Sequence, residues 1–238
     1  RWCSTEASPS DTSQSAPRAL ESPMLRFMNR ANALTLTGAA CALGAALLAL
    51  DGRISWGLVV FSLAGLCDLF DGVLARSLTR TPAEELFGQR LDSLCDGFSF
   101  GACGALILHA GGLRHPAEVV ILIGFSLAAL WRLAYFDTLG MESAPGPEGS
   151  SEGDAAASPR FLGLPTTYVA LGLPLAGLGG LHSPAALRWS FVAAGLFLAL
   201  AMVAPVRVPK PGRKAYPVFL LLALGLGTVH TLAALGKL

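Results

Sequence analysis

Residues 67–101 read CDLFDGVLARSLTRTPAEELFGQRLDSLCDGFSFG, and the fold turns on this stretch. It carries four aspartates, Asp68, Asp71, Asp92 and Asp96, with long apolar runs at 54–66 and 98–108 on either side. Asp68 and Asp71 are three residues apart and Asp92 and Asp96 four, so on helices each pair lies on one face, a turn apart. The reading is two neighbouring membrane helices joined by a short polar turn over 77–90, with all four aspartates at the same end. Carboxylates packed that closely repel one another unless a counter-charge joins them. All-oxygen donor sets suit hard divalent cations, so the pattern predicts a site for Mg²⁺ or Mn²⁺, with room for two ions.

The rest of the chain agrees with a membrane protein. Its 238 residues are 53% apolar and 14% charged, with a mean hydropathy of +0.57; soluble domains average about 25% charged. Apolar segments recur at 33–50, 54–76, 91–110, 117–136, 164–181, 185–206 and 216–235. Each approaches the roughly 20 residues that cross a bilayer as a helix. The predicted fold is all-α, a polytopic bundle of about seven transmembrane helices (six to eight), the fifth and sixth being interrupted by Gly and Pro. A net charge of +1 gives no reason to expect a nucleic-acid partner. The five cysteines have no CxxC spacing and the four histidines no HExxH spacing, so neither set reads as a metal site.

Residues 1–23 are rich in Ser, Pro and Thr and are expected to be a disordered extension, with Met24 the natural start of the transmembrane domain 24–238. Residues 141–159 are acidic and rich in Gly, Ser and Pro, which predicts a cytoplasmic loop. Orientation follows from the basic residues. If the turn 77–90 faces the cytoplasm, seven crossings put Arg1, Arg18, Arg26, Arg30, Arg76, Arg80, Arg90, Arg132, Arg160, Arg207, Lys210, Arg213 and Lys214 on that side. Only Arg53, Arg114, Arg188 and Lys237 fall opposite. Such a bias predicts an integral membrane protein whose aspartates face the cytoplasm; a bacterial inner membrane is the expected location.

A single aspartate near a helix end is usually a solvated cap. Four in two helical pairs at membrane depth are expensive to keep and point to function. Arg76 can serve a diphosphate oxygen or act as an interfacial anchor. Gly72 and Gly88 let backbone approach a phosphate or ribose closely. Glu84 and Glu85 are read as solvated residues of the turn.

The whole pattern is D-x-x-D-G-x-x-A-R, eleven residues, then G-x-x-x-D-x-x-x-D. It closely resembles the signature of the CDP-alcohol phosphotransferase family, membrane enzymes that move a phosphate-bearing group from a CDP-alcohol to a second alcohol and release CMP. By that resemblance Asp68, Asp71, Asp92 and Asp96 hold two divalent ions, and Asp96 is also the general base. Gly72, Ala75, Arg76 and Gly88 line the CDP, and Asn32 and Thr35 at the start of the first helix either contact the nucleotide or cap that helix. FGQRLDSLCDGFSFG, with NALTL (32–36), RLAYFD (132–137) and FLGLPTT (161–167), is similar to the phosphatidylserine synthase branch. The implied reaction is attack by the hydroxyl of L-serine on the β-phosphorus of CDP-diacylglycerol, with Arg132 a candidate for the acceptor's carboxylate or else a helix-end anchor.

The resemblance further implies a homodimer among membrane lipids. Two features depart from the pattern: the interval between Arg76 and Gly88 is longer than is usual for the family, and Ala102–Cys103 follow Gly101 where the branch has Ala-Pro shortly after. Glycerol 3-phosphate, inositol phosphate or choline as acceptor stay open, as do a membrane prenyltransferase and a divalent-cation transporter. Against these two stand the CDP-type glycines and the scarcity of acidic residues in the other apolar segments.

Overall fold

The computed structural model describes residues 25–139, 160–209 and 216–237. The tract 1–23 with Met24, the acidic stretch 141–159, and Lys210, Arg213 and Lys214 lie outside the described residues. Eight α-helices follow in order: α1 (Arg30–Leu50), α2 (Ile54–Ser77), α3 (Pro82–Asp96), α4 (Gly104–Ala110), α5 (Pro116–Leu139), α6 (Val169–Gly177), α7 (Pro184–Val203) and α8 (Tyr216–Ala234). Two three-residue strands, β1 (Arg160–Leu162) and β2 (Arg207–Pro209), pair antiparallel and close the hairpin formed by α6 and α7.

Among the described residues, six stretches are long and apolar enough to cross a membrane: α1, α2, the continuous run Pro82–Ala110, α5, α7 and α8. The all-α polytopic bundle is therefore what the chain forms. The fifth apolar segment is shorter, Thr166–Leu181. Pro174 inside α6 and the glycines after it end the α-helix at Gly177, and the backbone continues as 3-10 helix over Leu178–Leu181. With Thr166–Tyr168 also in 3-10 form, seven residues rise about 2.0 Å each and nine about 1.5 Å, so the segment still reaches about 27 Å.

The turn between the two aspartate helices is shorter than the sequence reading had it. The α3 helix begins at Pro82, so 82–90 is helical rather than part of a polar turn. Thr81 is its N-cap. Its hydroxyl accepts from Glu84 N–H at 3.3 Å, while the Glu84 carboxylate accepts from Thr81 N–H at 2.8 Å. Glu84 is thus half of a capping box, not a merely solvated residue. Helix run Pro82–Ala110 holds 29 residues, more than a bilayer needs. Its polar N-terminal turns therefore extend beyond the hydrocarbon, which puts Asp92 and Asp96 near the boundary.

Small residues set the distances between helices. Ala42, Ala45, Ala46 and Ala49 of α1 are buried against α2, and a Cβ on Gly57 would stand 2.8 Å from the Ala45 carbonyl oxygen. Between α3 and α4 the chain makes a π-helical segment, Gly97–Cys103. Gly97 and Gly101 of this segment, with Gly104 at the start of α4, turn a bare side onto α5, where added Cβ atoms would meet Leu130 Cδ2 at 3.0 Å, Ala129 Cβ at 3.3 Å and Phe125 Cε1 at 3.3 Å. Ser126 of α5 donates to the Gly101 carbonyl at 3.2 Å. Fully buried Phe61, Phe100, Phe125 and Phe191 fill the centre of the bundle.

Helix α8 runs antiparallel to α2. Tyr216 meets Arg76 at the aspartate end, and Ala234 lies beside Arg53 and Trp56 at the other. At that far end Arg188 pairs with buried Glu118 at 2.7 Å, locking α7 to α5.

Candidate active site

Helices α2 and α3 bring the carboxylates of Asp68, Asp92 and Asp96 together, with one oxygen of each within 4.8 Å of the others. Asp71, one turn beyond Asp68, lies outside this trio but lines the same cleft. Asp71 is buried, within reach of the Thr35 side chain and the Gly72 N–H, and its Oδ2 has no hydrogen-bond partner among the described residues. Among those residues, no Lys or Arg forms an ion pair with any of the four aspartates.

The donor set fits a divalent ion. Oxygens around Mg²⁺ at about 2.1 Å stand roughly 3.0 to 4.2 Å apart, so small rotamer shifts close the present spacing. The all-carboxylate chemistry and the orphaned Asp71 oxygen both favour a hard cation.

The cleft has a volume of about 250 Å³ and is walled by α2, α6 and α8. Gly72 and Arg76 line it alongside the aspartates. Arg76 donates from Nη2 to the Tyr216 hydroxyl at 3.2 Å. Tyr168 and Phe219 meet edge to face across the α6–α8 wall, centroids 5.2 Å apart. From this cleft an apolar groove continues between α2 and α8, sharing Ser62, Leu66 and Ala223 with it and ending near Thr231 and Leu232.

The other residues singled out from the sequence take separate places. Ala75 is half-buried on α2, beside the cleft wall rather than in it. Asn32 is buried at the seam of α1 and α3, where its Oδ1 would stand 3.2 Å from a Cβ on Gly88. Neither Asn32 nor Thr35 caps α1, because Asn29 does so by accepting from Asn32 N–H at 2.9 Å. Thr35 touches Asp71 from the α1 side. Arg132 does not line the cleft; it is buried behind Thr166, to which its Nη1 donates at 3.5 Å.

Two groups were not read from the sequence as site residues. Thr166 donates to Asp96 Oδ2 at 3.2 Å, and the Thr167 side chain reaches Asp68. Asp137 accepts from Ser93 at 2.7 Å and from Arg90 at 3.2 Å, which pins the end of α5 to α3 beside Asp92. Both fall in stretches quoted above for their resemblance, PTT and RLAYFD, but only packing reveals what they touch. Tyr216 gave no signal at all.

Geometry and sequence agree with the comparisons. A sequence model of the CDP-alcohol phosphatidyltransferase family matches residues 28–197, and the chain belongs to that family. It is 42% identical over 118 residues to a CDP-diacylglycerol–serine O-phosphatidyltransferase of Saccharomyces cerevisiae, covering 49% of this chain and 40% of the yeast protein. It is 25% identical over 166 residues to an archaetidylserine synthase of Methanothermobacter thermautotrophicus, covering 69% of this chain and 62% of that one. A CDP-diacylglycerol–serine O-phosphatidyltransferase of Mycobacterium tuberculosis is 28% identical over 109 residues, 45% of this chain and 37% of its own length. The matches thus span between 37% and 62% of each relative's own length.

Proposed function

We propose that this protein transfers the phosphatidyl group of CDP-diacylglycerol to L-serine, giving phosphatidylserine and CMP. The observation that carries the proposal is the carboxylate cluster at the head of a cleft that runs on into an apolar groove. A nucleotide diphosphate at the cluster leaves its lipid chains in line with that groove, against α2 and α8. The acceptor is supported by the names of the relatives, which share serine while differing in lipid.

Asp68, Asp71, Asp92 and Asp96 would hold Mg²⁺ or Mn²⁺, which when bound neutralises the diphosphate and the charge that builds during phosphoryl displacement. The chain's own groups do the rest. Asp96 takes the proton of the serine hydroxyl as its oxygen bonds to the β-phosphorus. The phosphorus–oxygen bond to CMP breaks, and the electron pair leaves with CMP. Gly72 gives the backbone close access to the diphosphate, and Arg76 offers a guanidinium to its oxygens. Ala75, Gly88, Asn32 and Thr35 shape the nucleotide side. Arg132 lies behind Thr166 rather than in the cleft lining, so its positive charge would act on the acceptor's carboxylate from a distance, and its Nε has no hydrogen-bond partner among the described residues.

The distribution of basic residues supports a cytoplasmic active site; a bacterial inner membrane is the proposed location. Pairing of two copies among membrane lipids rests on the family resemblance.

The test is CMP release by purified protein given CDP-diacylglycerol, Mn²⁺ or Mg²⁺, and each alcohol in turn. Release with serine is expected. Release with glycerol 3-phosphate, inositol phosphate or choline in its place overturns the acceptor. Asp96→Asn keeps the Thr166 hydrogen bond and the fold, and should lower turnover by about 10²–10⁴-fold. Undiminished turnover removes the base from Asp96.

A further inference from the structure

We propose that Thr166 is a positioning residue that, backed by Arg132, holds the Asp96 carboxylate in its working orientation; this rests on the phosphatidyl-transfer reading above. The direction of the hydrogen bonds is fixed by the donors. A guanidinium has no acceptor, so Arg132 Nη1 must donate to Thr166 Oγ1. The hydroxyl's single hydrogen is then left for Asp96 Oδ2. The chain therefore runs one way, Arg132 to Thr166 to Asp96. It polarises the hydroxyl, commits Oδ2 as an acceptor and stops the carboxylate from rotating. The lone pairs left on the carboxylate, which also meets the Asp68 side chain, receive the serine proton.

The threonine is itself held in place. It is 1% exposed and Arg132 is 7% exposed, so the bond between them is shielded from bulk water, while the Thr166–Asp96 bond is partly buried at the cleft. Thr166 opens a 3-10 turn after Pro165, and consecutive residues of such a turn point about 120° apart. Thr166 and Thr167 thereby serve different aspartates, Asp96 and Asp68. Just upstream, Gly163 N–H donates to the Val206 carbonyl and Leu164 N–H to the Ala201 carbonyl, each at 2.9 Å. Downstream, α6 lies so close to α2 that a Cβ on Gly65 would overlap the Ala170 methyl. A group that orients a catalytic carboxylate works best when its own support is rigid, and this turn is anchored on both sides.

The experiment compares CMP release by wild type, Thr166→Val and Thr166→Ser across a range of CDP-diacylglycerol concentrations. Thr166→Val keeps the shape and loses the hydroxyl; Thr166→Ala replaces it if the valine variant is not monodisperse. The expected result is kcat down about 10–100-fold, with KM for CDP-diacylglycerol within about twofold of wild type. Thr166→Ser should restore kcat to within about threefold, because it keeps the donor. A kcat preserved without the hydroxyl overturns the proposal. So does a serine variant as impaired as the valine one, since that assigns the loss to the methyl group. If wild type uses a different alcohol, only the serine assignment falls, and the same comparison is made with that alcohol. A wild type inert toward every alcohol overturns both readings.

Discussion

Gly163 is a residue whose backbone decides where side chains go. Its φ is +75°, and a Cβ there would overlap the Met202 carbonyl oxygen. Only glycine combines that dihedral with that contact. Gly163→Ala should strain the turn by about 1–3 kcal/mol and displace the threonines that follow. The expected outcome is a thermal midpoint lower by roughly 5 °C together with reduced CMP release. Gly225→Ala, placed where an added Cβ meets nothing within 4 Å, serves as the control and should change neither. At this scale the aspartates were legible because their spacing is local: three and four residues place them on helix faces without further information. Thr166 was not, because it lies 70 residues from the Asp96 it serves. Its role depends on how closely α6 can approach α2, a distance set by Gly65.

Among the elements, helix existence was legible and helix boundaries less so. Apolar runs announced each long helix, but the start of α3 was carried by Thr81, Pro82 and Glu84, a capping signal that the long interval after Arg76 obscured. The π-helical segment had no periodic signature; its glycines, with Gly104 just after them, face α5 at close range. Helix α8 lies beyond the stretch that matches the family, yet it forms a wall of the cleft and of the groove below it. Its first residue carries a specific prediction. Tyr216 accepts from Arg76 and so steadies the guanidinium that faces the nucleotide side. Tyr216→Phe removes that acceptor and little else. An exposed hydrogen bond of this kind contributes about 0.5–1.5 kcal/mol, which translates into KM for CDP-diacylglycerol rising about 2–10-fold with kcat unchanged. Steady-state kinetics over lipid-substrate concentration read this directly, and an unchanged KM would show that Arg76 needs no steadying from α8.

For the whole molecule, the site is a concession of stability to function. Three carboxylates share a space 4.8 Å across, and two unit charges at that separation repel by about 3 kcal/mol at an effective dielectric of 20. The rest of the bundle, with its buried phenylalanines and close alanine seams, must hold this cluster together when no cation is bound. A bound cation reverses the sign of the contribution, and at a hundred times its dissociation constant adds about 2.7 kcal/mol. Asp68→Asn separates these effects, because the amide oxygen can still accept from Thr167 while one charge is gone. After chelation the variant should melt above the wild type. Adding Mn²⁺ should raise the wild-type midpoint by several degrees and the variant's by less, and the variant should release no CMP. A chelated wild type that melts above the chelated variant would mean that repulsion at the cluster is already relieved by groups of the chain itself. In that case these aspartates would not be waiting for a cation, and the fold would no longer point to metal-assisted chemistry.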